Sequence, residues 1–516
     1  MQAALVAAGI LLSRVLGLVR ESLKARYLGA TGSIAADAFH AAFKIPNLLQ
    51  ALFGEAALSA SFIPVYANTL ARGDKEQAAK IASAIGAFLA LITAALVLVG
   101  VTFAHALVEV IAPGFEGEKR ELTIQLTRIL FPGAALFVFS AWCLGILNSH
   151  RRFFLSYAAP VAWNLAMIAA LLWYREEGPA TLANRIAWAS VVGAALQFLV
   201  QLPTVLSLTS GLRLTLGRGD PAVGQVKRNF VPAFFSRGAV QISGYIDQII
   251  ASFLPTGAVS LLFYTQTISM LPVSLFGIAI SAAELPEMSS STGDEGQQRE
   301  HVRSRLQAGL RRIAYFVIPS AIAFVAVGDV IVGALFRSGR FTALDARYTW
   351  GILMAAAVGL LATTLARLYS SAFFALHDTK SPFRIALVRV GAAGALGALF
   401  ALRGPQWLGV APQWGAAFLA LASSLTGWLE LTLLRRKLND RIGATGLSVD
   451  LVMRLLGAAL VAGAAAFGLH TVLPEWHRFL VAAVVLPTFG LVYLLLTLAF
   501  RVPEATALAR RLRLVR

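Results

Sequence analysis

The chain has 516 residues, 58% of them apolar and 14% charged, with 44 Lys and Arg against 26 Asp and Glu for a formal net charge of +18. A mean hydropathy of +0.73 leaves too little polar surface to cover a soluble globule of this length, which excludes a soluble enzyme or nucleic-acid-binding domain and places the chain in a bilayer. The single Cys143 excludes an internal disulfide framework and any CxxC metal or redox pair, and is expected to pack in a helix.

The first apolar span, 3 to 27, holds Arg14, Arg20, Glu21 and Lys24. A charge at bilayer depth costs about 2.5 to 3.5 kcal/mol and is normally turned toward a protein interior or a watery cavity, so this helix is expected to line a polar path. Its start lacks a basic segment and a cleavage site, which reads as a retained helix rather than a signal peptide. Residues seven apart nearly eclipse on a helix, so Arg14 and Glu21 share a face and Arg20 and Lys24 a neighbouring one. Lys24 and Arg26, near the end of the span, are expected to snorkel to an interface and to pair with Glu21 or Asp37.

In the second span, 34 to 66, Asp37, Lys44 and Glu55 fall on one face if the helix runs straight, but Pro46 removes a backbone donor and predicts a kink through Lys44-Ile45-Pro46-Asn47. Spans follow at 80 to 104, 122 to 147, 155 to 174 and 184 to 208. The acids Glu109, Glu116, Glu118 and Glu121, beside Lys119 and Arg120, read as a solvated loop. The seventh span, 230 to 254, carries Ser236, Ser243 and Asp247 on one face and Gln241 and Gln248 on another. In the eighth, 258 to 286, Thr267, Ser274 and Ser281 recur every seven residues, with Gln266, Gly277 and Glu284 along a parallel line and Pro272 between. The remaining spans run 310 to 336, 348 to 376, 382 to 402, 407 to 434, 450 to 473 and 479 to 500, fourteen in all.

Alternate loops differ roughly three to one in Lys and Arg, which by the positive-inside rule puts both termini in the cytoplasm and requires an even number of spans. The first and seventh spans begin alike, Ser13-Arg14 and Ser236-Arg237, and end alike, Thr31-Gly32 and Thr256-Gly257. Ile45-Pro46 answers Leu271-Pro272, Ile63-Pro64 answers Leu285-Pro286, and Gly145-Ile146-Leu147-Asn148 resembles Phe374-Ala375-Leu376-His377. An offset this steady predicts a parallel repeat: an all-α polytopic membrane protein of about 14 transmembrane helices, in two pseudo-symmetric six-helix lobes (1–228 and 229–440) plus two C-terminal helices and a basic tail (441–516). Such repeats are a transporter plan, with the substrate between lobes and access alternating by rocking.

One cationic lobe and one weakly polar or acidic lobe suit an amphiphile with an anionic head, since arginines pair with phosphate through charge-assisted hydrogen bonds. The residues therefore point to a transporter of a phosphorylated, lipid-linked substrate. Asp247 and Glu284 are the candidates for an ion or coupling site, because an intramembrane carboxylate must be paired, protonated or ion-bound. No HExxH, Walker or GxSxG element stands in a confirming context, and the seven His residues show no metal-ligand spacing, so neither an enzyme nor a metal centre is expected.

Ser13-Arg14-Val15-Leu16-Gly17-Leu18-Val19-Arg20-Glu21, Ala36-Asp37-Ala38-Phe39, Phe43-Lys44-Ile45-Pro46-Asn47-Leu48-Leu49, Phe336-Arg337-Ser338-Gly339-Arg340-Phe341 and Ala375-Leu376-His377-Asp378-Thr379-Lys380-Ser381-Pro382 carry a resemblance over almost the whole chain. It resembles the MurJ (MviN) lipid II flippases of the MOP exporter superfamily. That resemblance implies a multi-pass protein of the bacterial inner membrane that moves the undecaprenyl-pyrophosphate-linked disaccharide pentapeptide to the outer leaflet for peptidoglycan synthesis. It implies a substrate site at Arg14, Arg20, Glu21, Asp37, Lys44 and Asn47, hinges at Pro46 and Pro272, no cofactor, and cell-wall synthesis proteins as partners. Coupling to a monovalent cation or to the membrane potential stays open. The family commonly has Arg where this chain has Gln50-Ala51 and Gln266-Thr267; either Arg237, Arg367 or Arg389 compensates or the cargo differs. The alternative reading is an exporter of another polyprenyl-linked oligosaccharide, followed by a cation-coupled drug exporter.

Overall fold

α1 (Gln2–Leu28) carries the charged first span. Ser33 caps α2 (Ile34–Gln50), its Oγ accepting from Ala35 N at 3.2 Å, and Pro46 lies inside that helix. From Ala51 to Leu58 the chain widens into a π-helix, π1, before α3 (Ser59–Ala71) continues the rod. The position of the predicted Pro46 kink is thus followed by eight residues of wide turn, a form found frequently at functional sites. α10 (Ala258–Pro272) passes in the same way through π2 (Val273–Ile278) into α11 (Ala279–Ser289), with Pro272 as the residue that opens π2. π2 begins 222 positions after π1.

The computed structural model describes residues 2–209, 212, 215–217, 219–290, 294–474 and 476–511; the side chains of Glu55, Ser236, Arg237, Gln241 and Ser243 lie outside that description. All regular structure among the described residues is helical, as lipid demands of a backbone it cannot hydrogen-bond. Eleven helical stretches among them are long and apolar enough to cross a membrane.

Packing divides the chain into two compact units, residues 1–260 with 338–341, and residues 261–337 with 342–516. The first also holds α4 (Lys75–Thr102), α5 (Ala104–Ile111), α6 (Gly117–Ser149), α7 (Phe153–Trp173), α8 (Pro179–Leu208) and α9 (Pro221–Ser252). Phe53, Phe62, Tyr66, Trp142 and Cys143 fill one part of its core, and Leu28, Phe39, Leu126 and Leu171 another. α9, the seventh span of the sequence analysis, packs in this unit, where Phe230 and Phe234 meet Phe53 at 5.7 and 5.1 Å between ring centroids.

The second unit continues with α12 (Glu295–Ala326), α13 (Gly328–Leu335), α14 (Ala343–Ala375), α15 (Lys380–Trp407), α16 (Gly415–Ile442), α17 (Val449–Val472), α18 (Arg478–Ala499) and α19 (Pro503–Arg511). The predicted span 310 to 336 is broken at Val327, which separates α12 from α13. Lipid tails are as apolar as leucine, so helices associate here through close contact rather than through removal of surface from water. α14 and α16 show it: a Cβ on Gly359 would stand 2.5 Å from Ser424 Cα, so only glycine lets these backbones approach.

Helix ends are closed by local bonds. At the end of α6, Arg151 takes φ 59° and Arg152 N bonds Leu147 O at 2.8 Å; at the end of α14, His377 takes φ 57° and Asp378 N bonds Phe373 O at 2.9 Å. Both are Schellman caps. They lie 226 positions apart, three fewer than the motif pairing read from sequence.

Candidate functional site

The charges of α1 are gathered by α7. Glu21, 4% exposed, accepts from Arg20 Nε at 3.1 Å and Nη2 at 2.6 Å on one oxygen, while Lys24 Nζ lies 2.7 Å from the other. Arg20 Nη1 donates to Asn164 Oδ1 at 2.7 Å, and Asn164 Nδ2 returns to the Ser13 carbonyl at 3.2 Å. The guanidinium carbon sits 4.1 Å from the Trp163 ring, which is anchored through its Nε1 to Ser190 Oγ at 3.1 Å. A planar cation with donors in a fixed fork is thus oriented by a carboxylate, an amide and an aromatic face.

Lys24 does not snorkel. It is 2% exposed, and its ammonium lies 5.2 Å from the Phe39 ring centroid and within reach of Glu21. Burial of a cation is sustainable here because the paired carboxylate is buried with it. Arg26 stays exposed. Arg14, one face with Glu21 by spacing, is exposed whereas Glu21 is buried, so the two sit in different surroundings along the same side of the helix.

Asp37 forms a second centre. It has no exposed surface. One carboxylate oxygen accepts from Ser260 N at 2.9 Å and Ser260 Oγ at 2.6 Å; the other accepts from Gly257 N at 2.8 Å and Lys119 Nζ at 2.7 Å. Asp37 therefore caps the orphan amides at the start of α10 and neutralises Lys119, which the sequence places in a solvated loop but which folds inward over the Phe115 ring at 4.0 Å. The neighbouring carboxylates Glu116, Glu118 and Glu121 are exposed, as expected of that loop. Gly257 takes φ +101°, and a Cβ there would stand 2.7 Å from Thr31 Cα.

Lys44 is half-buried in α2, with Asp247 of α9 as the opposite charge acting on it. The Lys44 carbonyl accepts from Tyr245 Oη at 3.0 Å, while the carbonyl that Pro46 leaves without its helical donor is that of Ala42, one turn back. Pro46 itself is buried and Asn47 exposed. Glu284, 2% exposed in α11, meets Arg312 Nη1 at 2.8 Å on one oxygen and Arg305 Nε at 3.0 Å on the other, the second as an ion pair off the hydrogen-bond line. Two guanidinium groups thus stand opposite its charge.

At the positions where the sequence lacks the family's arginines, Gln50 is half-buried and Thr267 Oγ1 bonds back to Phe263 O at 3.0 Å. Arg389 is tied to Glu430 at 2.9 Å, the Arg237 side chain lies outside the described residues, and Arg367 is exposed along α14. Among the described residues no group of three or more His, Cys, Asp or Glu is placed to hold a metal ion. Sequence reasoning missed Trp163, Asn164, Lys119 and Ser260. The first two are neutral residues in an apolar helix, whose only signal is that a buried amide needs a partner.

A family model described as "Lipid II flippase MurJ" matches residues 24–486. The chain is 30% identical over 500 residues to a probable lipid II flippase MurJ of Vibrio cholerae, covering 95% of this chain and 92% of that one. It is 34% identical over 383 residues to the lipid II flippase MurJ of Burkholderia cenocepacia, covering 73% of each. A solved structure of a lipid II flippase MurJ in an inward closed conformation superposes with a TM-score of 0.79 at 23% identity, over 96% of this chain and 99% of that chain. An inward-facing multidrug resistance MATE family transporter of the MOP superfamily shares the fold at a TM-score of 0.68 and 17% identity, over 83% of this chain and 94% of the other.

Proposed function

The chain belongs to the MurJ family of lipid II flippases, and from that premise we propose that it carries the undecaprenyl-pyrophosphate-linked disaccharide pentapeptide from the cytoplasmic to the outer leaflet of the bacterial inner membrane by alternating access. It is a transporter and not an enzyme. The observation that carries the site assignment is the set on α1 and α7 in which buried Glu21, Lys24 and Asn164 surround the partly exposed Arg20 and hold its guanidinium in a fixed orientation. Arg14 and Arg20 receive the pyrophosphate, and Lys44 and Asn47 stand at the kink that moves with it.

Fourteen spans is the reading supported by three further long helices, α1, the α2–π1–α3 rod and α9, beside the eleven apolar ones. Lobes at 1–228 and 229–440, with 441–516 as two extra helices and a tail, are supported by the recurrence of the π-helices and the Schellman caps at nearly one offset. Both termini are cytoplasmic by the positive-inside bias. Hinging occurs at Pro46 with π1 and at Pro272 with π2. Resetting needs a bias, because a two-state carrier otherwise only equilibrates; the membrane potential or an ion at Asp247, opposite Lys44, supplies it.

Gln50 and Thr267 favour a second reading, in which the cargo is another polyprenyl-linked oligosaccharide. The test is growth of a bacterium depleted of its own lipid II flippase. The intact chain restores growth, and the Arg14→Ala, Arg20→Ala double variant at matched membrane level does not. Failure of the intact, correctly inserted chain moves the assignment to the second cargo.

A further inference from the structure

The second unit holds a basic cavity that transport through α1 and α2 does not use. Its volume is about 590 Å³. One wall is a single face of α12, where Arg303, Gln307 and Arg311 follow at helical spacing, and the opposite side is closed by Ala444 and by Pro503 and Glu504 at the start of α19. The walls are built rather than incidental. Gln307 is locked at both ends of its amide, Nε2 donating to Gly446 O at 2.6 Å and Oε1 accepting from Gly446 N at 3.2 Å. Arg435 Nε holds the same loop through Thr445 O at 2.7 Å. α19 is seated by the buried Val502, Ala505 and Ala509, and strapped to α12 by Arg311 Nε on Glu504 Oε1 at 2.9 Å.

Cationic donors exceed acceptors inside this frame. Arg303, Arg311 and Arg312 line the cavity with only Glu300 and Glu504 against them. Arg303 is about half exposed, its carboxylate partner Glu300 standing 3.5 Å away on the solvent side, 64% exposed. Arg312, also lining the cavity, keeps more than half of its side chain exposed while one nitrogen holds Glu284. The cavity lies where α16 turns into α17 and α18 into α19, stretches whose sequence carries Arg435, Arg436, Lys437, Arg441 and Arg501 and which the charge bias assigns to the cytoplasmic surface. A basic pocket at that level faces the anionic headgroups of the inner leaflet.

We propose that this cavity binds the phosphate of an anionic phospholipid headgroup. A soluble phosphate ester shares that chemistry, and the test separates the two sources. Because Arg312 serves both the cavity and Glu284, an anion bound there competes for the guanidinium that holds α11, so occupancy is felt directly after π2. The proposal rests on the membrane orientation given above but not on the cargo, and its readout is binding rather than transport.

The experiment is a lipid titration of the purified full-length protein by native mass spectrometry, with phosphatidylglycerol, phosphatidylcholine and inorganic phosphate as separate probes. One saturable phosphatidylglycerol site is expected that phosphatidylcholine does not fill. Arg303→Gln weakens it about fivefold, the weight of one cation near an anionic surface, and Glu300→Gln tightens it, because it removes a competing carboxylate. Opposite shifts in two exposed substitutions cannot come from misfolding. Binding unchanged in both variants, or shifted the same way in both, overturns the proposal. Displacement of the lipid by millimolar inorganic phosphate supports the phosphate site, while saturation by phosphate with no phosphatidylglycerol site overturns the lipid as its source.

Discussion

Arg20 reaches its partners from a helix that would otherwise be an ordinary apolar span, and each partner has a separate effect. Glu21 supplies the negative charge that lets Lys24 be buried beside the partly buried Arg20, so Glu21→Ala leaves two cations without their carboxylate and is expected to cost about 3 to 5 kcal/mol of stability. Lys24→Met removes one cation while Arg20 keeps Glu21 paired, and is expected to cost much less. Thermal unfolding of the two purified variants checks the order; equal losses would mean that Glu21 does not organise the cluster. The charged members were legible because charge in an apolar span stands out against its neighbours. Asn164 and Trp163 were not, since an amide and an indole in α7 look like ordinary helix packing until the fold brings α1 against them. Lys119 misled for the opposite reason: its exposed acidic neighbours made a buried lysine look solvated.

A second residue-scale prediction concerns the loop between α14 and α15, outside the membrane spans. Burial pushes the Asp378 carboxyl up, but the Ser381 hydroxyl at 2.5 Å, the Ser381 amide at 2.9 Å and the Arg441 guanidinium at 2.7 Å outweigh it and hold it below its ordinary value. A carboxyl lowered in the folded state contributes stability that is present above its unfolded value, about 3.9, and lost as the pH falls through the folded one. Asp378→Asn is therefore expected to lower the melting temperature at pH 7 and to differ less from the intact protein as the pH falls below about 4. A difference that does not shrink in acid would contradict this.

At the scale of elements, Asp37 joins three helices: it lies in the first turn of α2, takes Lys119 from the start of α6, and caps the start of α10. Asp37→Asn retains an acceptor for Ser260 but loses the charge opposite Lys119, whereas Asp37→Ala loses both. Unfolding of the purified proteins should rank the intact chain above Asn and Asn above Ala, with Ala costing about 3 to 5 kcal/mol. Equal stability of Asn and Ala would show that the ion pair, not the cap, carries the contact. Pro46 and Pro272 marked the stretches where the two long rods leave regular α-helix, but not the form they take there. A π-helix differs from an α-helix by one residue in each hydrogen-bonded ring, i→i+5 against i→i+4, and that leaves no trace in hydropathy, so π1 and π2 had to be seen.

Over the whole molecule, hydropathy made the helical membrane architecture readable, because a bilayer imposes length and polarity on every span. How the chain packs was less readable. α9, which sequence similarity pairs with α1, buries Phe230 and Phe234 against Phe53 in the first unit, and no local pattern declares which aromatic faces will meet. With Gln50 and Thr267 in place of further arginines, the proposed headgroup site rests chiefly on Arg14 and Arg20. Movement of lipid II is tested most directly by the amount of lipid II in the outer leaflet of spheroplasts that lack their own flippase. The intact chain is expected to restore outer-leaflet lipid II, and Arg20→Ala, inserted at the same level, to leave it on the cytoplasmic side. Lipid II held inside by a correctly inserted intact chain, or an Arg20→Ala variant that exports it at the full rate, would contradict this.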